Sequence, residues 1–480
     1  MIRPSRVTVP GIMLLLAGCT VGPNYHRPSA AVPAQYKEIS GWAKGAPADA
    51  APKGDWWTGF DDPLLDHLEP LVAVSNETVL EDYANYQQSR ALVQEAQGQL
   101  FPELGLTGEA TREREQVASG STIIQPPLVS SATAEGTASW EPDLWGKIRR
   151  TVEENQASAQ ESQATLANAT LSEQAALATD LVDLRAADAE IRLLQQTVTA
   201  YQASLRVTQN QGSAGVAAPS DVVTAQTQLE GAQSSLINAG VARAEYEHAI
   251  AVLVGHLPEQ LSVPMDPTMP ALPAIPVGVP STLLERRPDI AANERAVAAA
   301  NAAIGVQIAA FYPTITLSAS GGWSGSPIGA LFNAANQVWS LGTDATLDLF
   351  EGGARSAAVV AARYQYDAAV ASYRGDVLTA FQQVEDELAS LRILAQQQEV
   401  ADAAVRSAAR GATIALNEYQ AGTVDYTTVV TAQETLLTDQ QSALTVRQDR
   451  LLAAVSLIEA LGGGWSAKQL SGPPAPDILP

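Results

Sequence analysis

Apolar and polar side chains alternate one by one in four short runs of this chain and recur every seven residues in two very long ones. After Pro313, Ile315, Leu317 and Ala319 oppose Thr314, Thr316, Ser318 and Ser320; from Trp339, Leu341, Ala345, Leu347 and Leu349 oppose Ser340, Asp344, Thr346 and Asp348. Two weaker runs precede them. Leu104, Leu106 and Ala110 stand against Thr107, Glu109 and Thr111, then Ala134, Ala138 and Trp140 against Glu135, Thr137, Ser139 and Glu141. A period of two over about ten residues is the signature of a transmembrane barrel strand, apolar toward lipid and polar toward the lumen. Strands are therefore expected near 103–117, 132–141, 313–325 and 338–350. Glu109, Glu135, Asp344 and Asp348 should face a watery lumen, and Trp140, Trp323 and Trp339 should belong to an aromatic girdle.

The sevenfold runs are helical. No proline interrupts residues 147–211, where Leu177, Leu184, Ile191, Val198 and Leu205 recur at that spacing. Residues 354–420 carry Val370, Val377, Val384 and Leu391 in the same way. This period predicts helices that supercoil against neighbours. About 65 residues at ~1.5 Å each span on the order of 100 Å, far beyond an ordinary globular helix. Shorter helices over about 219–255 and 281–310 would complete the wall, and residues 257–280, with seven prolines, read as an extended linker.

The chain is written twice. Phe101-Pro102 recurs as Tyr312-Pro313 (313 − 102 = 211) and Asp143-Leu144 as Asp348-Leu349 (348 − 143 = 205). Gly215 recurs as Gly422, and Thr224-Ala225-Gln226 as Thr431-Ala432-Gln433, both 207 residues on. Landmarks in one order at nearly one offset indicate a duplication, each copy reading helix, strand, strand, helix, helix.

Composition narrows the function. Aromatics are 5% and charged residues 17%, which favours long helices with narrow seams over thick aromatic cores. A net charge of −24 repels phosphate, so nucleic acid is not an expected partner. His26, His67, His248 and His256 lack metal-ligand spacing, and no nucleophile motif, zinc motif or phosphate loop appears. Neither a cofactor nor an enzymatic activity is expected. At the N-terminus, Arg3 and Arg6 precede an apolar run, Val7 to Leu16, that is about half the ~20 residues needed to span a bilayer. It leads into Leu16-Ala17-Gly18-Cys19, which resembles the lipobox of bacterial lipoproteins. Residues 1–18 are thus expected to be a signal, and Cys19, the single cysteine, to become a lipidated N-terminus.

Four strands cannot close a barrel, and an open edge in lipid leaves backbone groups unsatisfied at several kcal/mol each. Chains must pool strands; eight would fill with side chains, whereas twelve, from three chains, leave a lumen. The expected fold is an α+β membrane protein with four transmembrane β-strands and long coiled-coil helices per chain. Three copies would form a 12-stranded β-barrel above an α-helical periplasmic tunnel. The segments that carry this reading also resemble a family. Cys19 with Val21-Gly22-Pro23-Asn24-Tyr25, Trp56-Trp57 with Phe60 and Asp62-Pro63, and Trp140 with Asp143-Leu144-Trp145-Gly146 make the chain similar to the TolC-like outer membrane efflux proteins. Leu284-Glu285-Arg286-Arg287-Pro288-Asp289-Ile290 and Leu349-Phe350-Glu351-Gly352-Gly353 add to this, and the likeness is to the lipoprotein branch called the NodT family.

That resemblance implies a homotrimer docked by a periplasmic adaptor to an inner-membrane RND-type transporter, an exit duct for drugs or other small solutes. A type I protein-secretion duct and a non-conducting periplasmic tether are the alternatives. The implied organisation is a lipidated extended segment at 19–62, efflux repeats at 63–256 and 281–462 around the 257–280 linker, and a tail at 463–480. Relatives often place an acid before Ala-Gln in the last hairpin; here Thr431 stands there, and Thr224 in the first copy. The turns do carry Asp221, Glu418 and Asp425, with Tyr419 where the family tends to place a gate tyrosine. These four are the gate candidates, Asp425 first because it sits inside the turn.

Overall fold

The structure, a computed structural model, describes residues 20–38, 55–114, 117–119, 122–124, 128–275 and 283–470; Cys19 lies outside them. The first repeat opens with α1 (Pro63–Ser75) and α2 (Glu77–Gly98). Both begin on a side-chain cap: the Asp62 carboxylate accepts the amides of Leu64 and Leu65, and Asn76 those of Thr78 and Val79. Strand β1 (Glu103–Glu113) follows, then a small hairpin of β2 (Val117–Ser119) and β3 (Thr122–Ile124), and β4 (Val129–Trp140). Helices α3 (Lys147–Ser213) and α4 (Pro219–Leu253) complete the copy. The second repeat runs through α5 (Leu283–Arg286), α6 (Pro288–Ala309), β5 (Thr314–Gly325), β6 (Gln337–Thr346), α7 (Ala354–Gln420) and α8 (Tyr426–Ala460).

The sevenfold positions are the seams. Leu177, Leu184, Ile191 and Leu205 of α3 are buried, as are Val377, Val384 and Leu391 of α7. Each long helix has 67 residues, so each is on the order of 100 Å long. Among the described residues no helix is long and apolar enough to cross a membrane.

The short helices stack end to end beside the long ones. Where α4 stops, Ser75 Oγ donates to Val254 O at 2.8 Å and Asn76 Nδ2 to Leu253 O at 3.0 Å, so α2 continues the column above α4. Where α8 stops, Arg287 Nη1 donates to Ala460 O at 3.1 Å, and α6 continues that column. A glycine turns the chain at each splice. Gly255 (φ 71°) and Gly462 (φ 89°), again 207 apart, back onto Ser75 and Arg286, and a Cβ on either would stand 2.0 or 2.1 Å from a carbonyl oxygen. The result is a wall four columns wide. α3 packs between α2/α4 and α6/α8, and α7 packs on the far side of α6/α8. Its free edges carry exposed Val223 and Ile237 on α4 and Tyr364, Leu378 and Val400 on α7.

Two expectations are corrected here. The helix read over 281–310 is broken at Arg287, because Pro288 excludes the residue before it from helical geometry. The last strand, read to about 350, ends at Thr346: its partner ladder stops at Thr314 because Pro313 has no N–H to continue it. Asp348 therefore lies beyond the strand. It pairs with Arg355 at 3.2 Å, in the connection to α7.

Candidate functional site

The four long strands form one antiparallel sheet in the order β1-β4-β5-β6. Their registers bring Glu109 opposite Thr133, Glu135 opposite Thr107 and Gly322, and Asp344 opposite Thr316. Residues directly opposite share a face, so these three acids lie on one continuous polar surface with Thr137, Ser318, Ser320 and Ser340. Thr111 and Ser131 hydroxyls meet there at 2.6 Å, and those of Ser320 and Ser340 at 2.9 Å. The opposite surface holds Leu104, Leu106, Ala134, Trp140, Ile315, Leu317, Trp323, Trp339 and Leu341. It is exposed in the single chain: Leu106 keeps 86% of its accessible area and Leu341 76%. An apolar face of that extent requires an apolar solvent or partner. Trp140 stands at the helix end of the sheet and Trp323 and Trp339 at the far end, one aromatic level at each side.

At the other end of the wall lie the two helical turns. Gly215 (φ 74°) and Gly422 (φ 73°) take the left-handed conformation that lets α3 reverse into α4 and α7 into α8. The closures match residue for residue, Val216 N donating to Gln211 O and Thr423 N to Glu418 O, both at 2.9 Å. Above the turns Tyr201, Leu205, Leu229, Tyr419, Tyr426 and Val429 make a second, separate core. Tyr419 and Tyr426 cross edge to face, centroids 5.1 Å apart. Burial pushes both hydroxyls up, that of Tyr426 to about 12.

A neutral hydrogen-bonded clasp crosses this core. Gln433 Nε2 of α8 donates to Ser204 Oγ of α3 at 2.8 Å, and Gln228 Nε2 of α4 donates to Gln433 Oε1 at 3.4 Å. Tyr426 Oη donates to Gln228 Oε1, also at 3.4 Å. Three helices are thereby joined through one amide that is 8% exposed.

Of the gate candidates, three lie outside this core and one within it. Asp425 is the exposed N-cap residue of α8, and its carboxylate caps no amide. Asp221 is half-buried in the first turn of α4, where the positive end of the helix dipole favours an anion. Glu418 is exposed, and Tyr419 is packed inside the core. Thr431 and Thr224 are exposed, each hydroxyl bonded back to the carbonyl four residues earlier. Sequence reasoning missed Gln433, although it belongs to the repeated Thr-Ala-Gln landmark. Its counterpart Gln226 is exposed and bonded to Glu230, so the repeat marked the position without separating the roles.

The sequence model of the outer membrane efflux protein family matches this chain twice, over residues 71–256 and 279–463. The toluene efflux pump outer membrane protein TtgC of Pseudomonas putida is 30% identical over 454 residues, 94% of each chain. The solvent efflux pump outer membrane protein SrpC, also of Pseudomonas putida, is 31% identical over 470 residues, covering 95% of this chain and 98% of its own. The solved outer-membrane channel OprN superposes with a TM-score of 0.86 at 27% identity, over 93% of this chain and all of its own.

Proposed function

We infer the function from one premise: the chain belongs to the outer membrane efflux protein family. It is an outer-membrane efflux channel that extends into the periplasm. The finer reading is that three copies form a passive exit duct without enzymatic activity. The duct receives drugs or other small solutes from a periplasmic adaptor and an inner-membrane RND-type transporter. Lipid on Cys19 anchors each copy.

One observation carries this reading: a four-stranded sheet with one polar and one apolar face, open at both β1 and β6 among the described residues. Lipid would leave both edges unsatisfied, and three chains joined β6 to β1 give twelve strands and a lumen lined by Glu109, Glu135 and Asp344. The exposed edges of the helical wall, α4 and α7, then meet in the same order below. At the tip, Asp425, Asp221 and Glu418 each become a ring of three that attracts cations. Tyr419 acts from inside the fold by holding α7 to α8 through Tyr426.

Purified protein in a planar bilayer tests the duct. Cation-selective single-channel steps are expected from a species that crosslinks as a trimer. A bilayer that stays silent with correctly folded trimer refutes conduction and leaves the tether.

A further inference from the structure

Residues 20–38 form a strap laid along the wall, and its first residues are held by a built site. Val21 N donates to Trp145 O at 3.1 Å. Arg150, on the first turn of α3, is 3% exposed. Its guanidinium donates to Val21 O at 3.1 Å, to Gly22 O at 3.3 Å and to Asn24 Oδ1 at 3.0 Å, with Glu153 completing its partners at 2.6 Å. Asn301 Nδ2 of α6 donates to Pro23 O at 3.1 Å. The backbones touch: a Cβ on Gly22 would stand 2.5 Å from Gly305 Cα, and one on Gly146 would stand 2.8 Å from Thr20 Cα. Without these oxygens the buried guanidinium would keep Glu153 alone and leave its remaining N–H donors unpaired, so the strap complements the wall. Further along, the Glu385 carboxylate accepts the amides of Lys37 at 2.6 Å and Glu38 at 2.9 Å, pinning the other end.

The place where the strap begins is the elbow between sheet and tunnel. Trp145 stacks on Tyr312 with centroids 4.8 Å apart and donates through Nε1 to Pro313 O at 2.8 Å; Trp140 Nε1 donates to Leu100 O at 3.0 Å. Phe101 and Phe311 are exposed beside these anchors. Cys19 is one peptide bond from Thr20, and consecutive Cα atoms stand ~3.8 Å apart.

We propose that Arg150 is the positioning residue for the lipid anchor: it gathers the strap's first carbonyls so that the acyl chains leave the protein at the aromatic elbow. The anchor and the base of the barrel then occupy the same bilayer leaflet, and the lipid fixes the height of the duct instead of hanging on a free tether. This rests on the lipidation of Cys19 proposed above.

Hydrogen exchange on the intact lipidated trimer tests the clamp. In Arg150→Gln the Val21 amide should exchange roughly tenfold to a hundredfold faster, the factor a lost charge-assisted hydrogen bond implies. Amides of Lys37 and Glu38, held by Glu385, should stay slow. If Arg150→Gln does not fold, the double variant Asn24→Ala with Asn301→Ala removes two strap bonds and leaves the guanidinium in place, and it should give the same local acceleration. Unchanged Val21 exchange in the folded variant overturns the clamp. A photoactivatable fatty acid, incorporated in cells, reads the position of the anchor. Crosslinks should fall on peptides around residues 101, 145 and 312 of the native protein and scatter in the Arg150 variant. Scattered crosslinks in the native protein overturn the positioning role. Mass spectrometry showing no acyl group on Cys19 refutes the lipidation reading alone, since the exchange result still decides the clamp.

Discussion

Gln433→Leu keeps the volume of the side chain and removes both bonds of the clasp at the tunnel tip. The amide makes two hydrogen bonds, to Ser204 and from Gln228, worth about 1 kcal/mol each. Ser204, 1% exposed, is left with its hydroxyl buried, which adds about 1–3 kcal/mol. The tip as packed here should therefore lose about 3–5 kcal/mol, less whatever the buried leucine returns. If these bonds exist only when α8 lies against α3 and α4, even about 2 kcal/mol raises the ratio of open to closed tips roughly thirtyfold. Single-channel recording in planar bilayers should show longer openings of higher conductance. Gln226→Leu is the matched control, because Gln226 is the repeat counterpart of Gln433 yet lies exposed. Wild-type gating in Gln433→Leu, or equal effects in the two variants, would refute the clasp.

Asp425→Asn should lower cation selectivity measured by reversal potential, with a smaller change for Asp221→Asn and none for Thr431→Val; the reverse ranking would move the gate to the family position. Glu69 is fully buried in α1, and burial alone lifts its carboxyl from an ordinary value near 4.5 to about 9. Its contribution is fully present below about pH 4.5 and is lost as pH rises toward 9, because the unfolded chain ionises first. Thermal melts should show that fall in the native protein and a flatter profile in Glu69→Gln. Gly462→Ala combines a left-handed residue with a Cβ 2.1 Å from Arg286 O, and should cost about 2–4 kcal/mol in equilibrium unfolding. Gly215→Ala, which meets open space, should cost only the conformational part, about 1–2 kcal/mol. Cysteines placed at Glu109, Glu135 and Asp344 should react with a membrane-impermeant thiol reagent while those at Ile315 and Leu317 do not; equal labelling of both sets would contradict the faces assigned to the sheet.

Local period set most of the architecture. Alternation in Thr314–Gly325 depends only on neighbours two residues apart, so the polar face with Glu109, Glu135 and Asp344 was legible before any partner strand was known. Sevenfold spacing through Leu177 and Leu184 or Val377 and Val384 likewise gave the seams of α3 and α7, and the 207-residue offset gave the duplication. Asp348 was misread because a strand ends where its partner can no longer donate, and Pro313 is 35 residues away in sequence (348 − 313 = 35). The tertiary structure alone decided which copy of each repeated residue does what. α8 is packed against both α3 and α7, whereas α4 lies at the free edge of the wall. Gln433 is therefore buried in a clasp, and Gln226, its repeat counterpart in the same Thr-Ala-Gln landmark, faces solvent. The same holds for Arg287 and Asn76 at the two splices and for Arg150 beneath the strap. Each is defined by carbonyls brought to it from over a hundred residues away, which no periodicity within one helix can report.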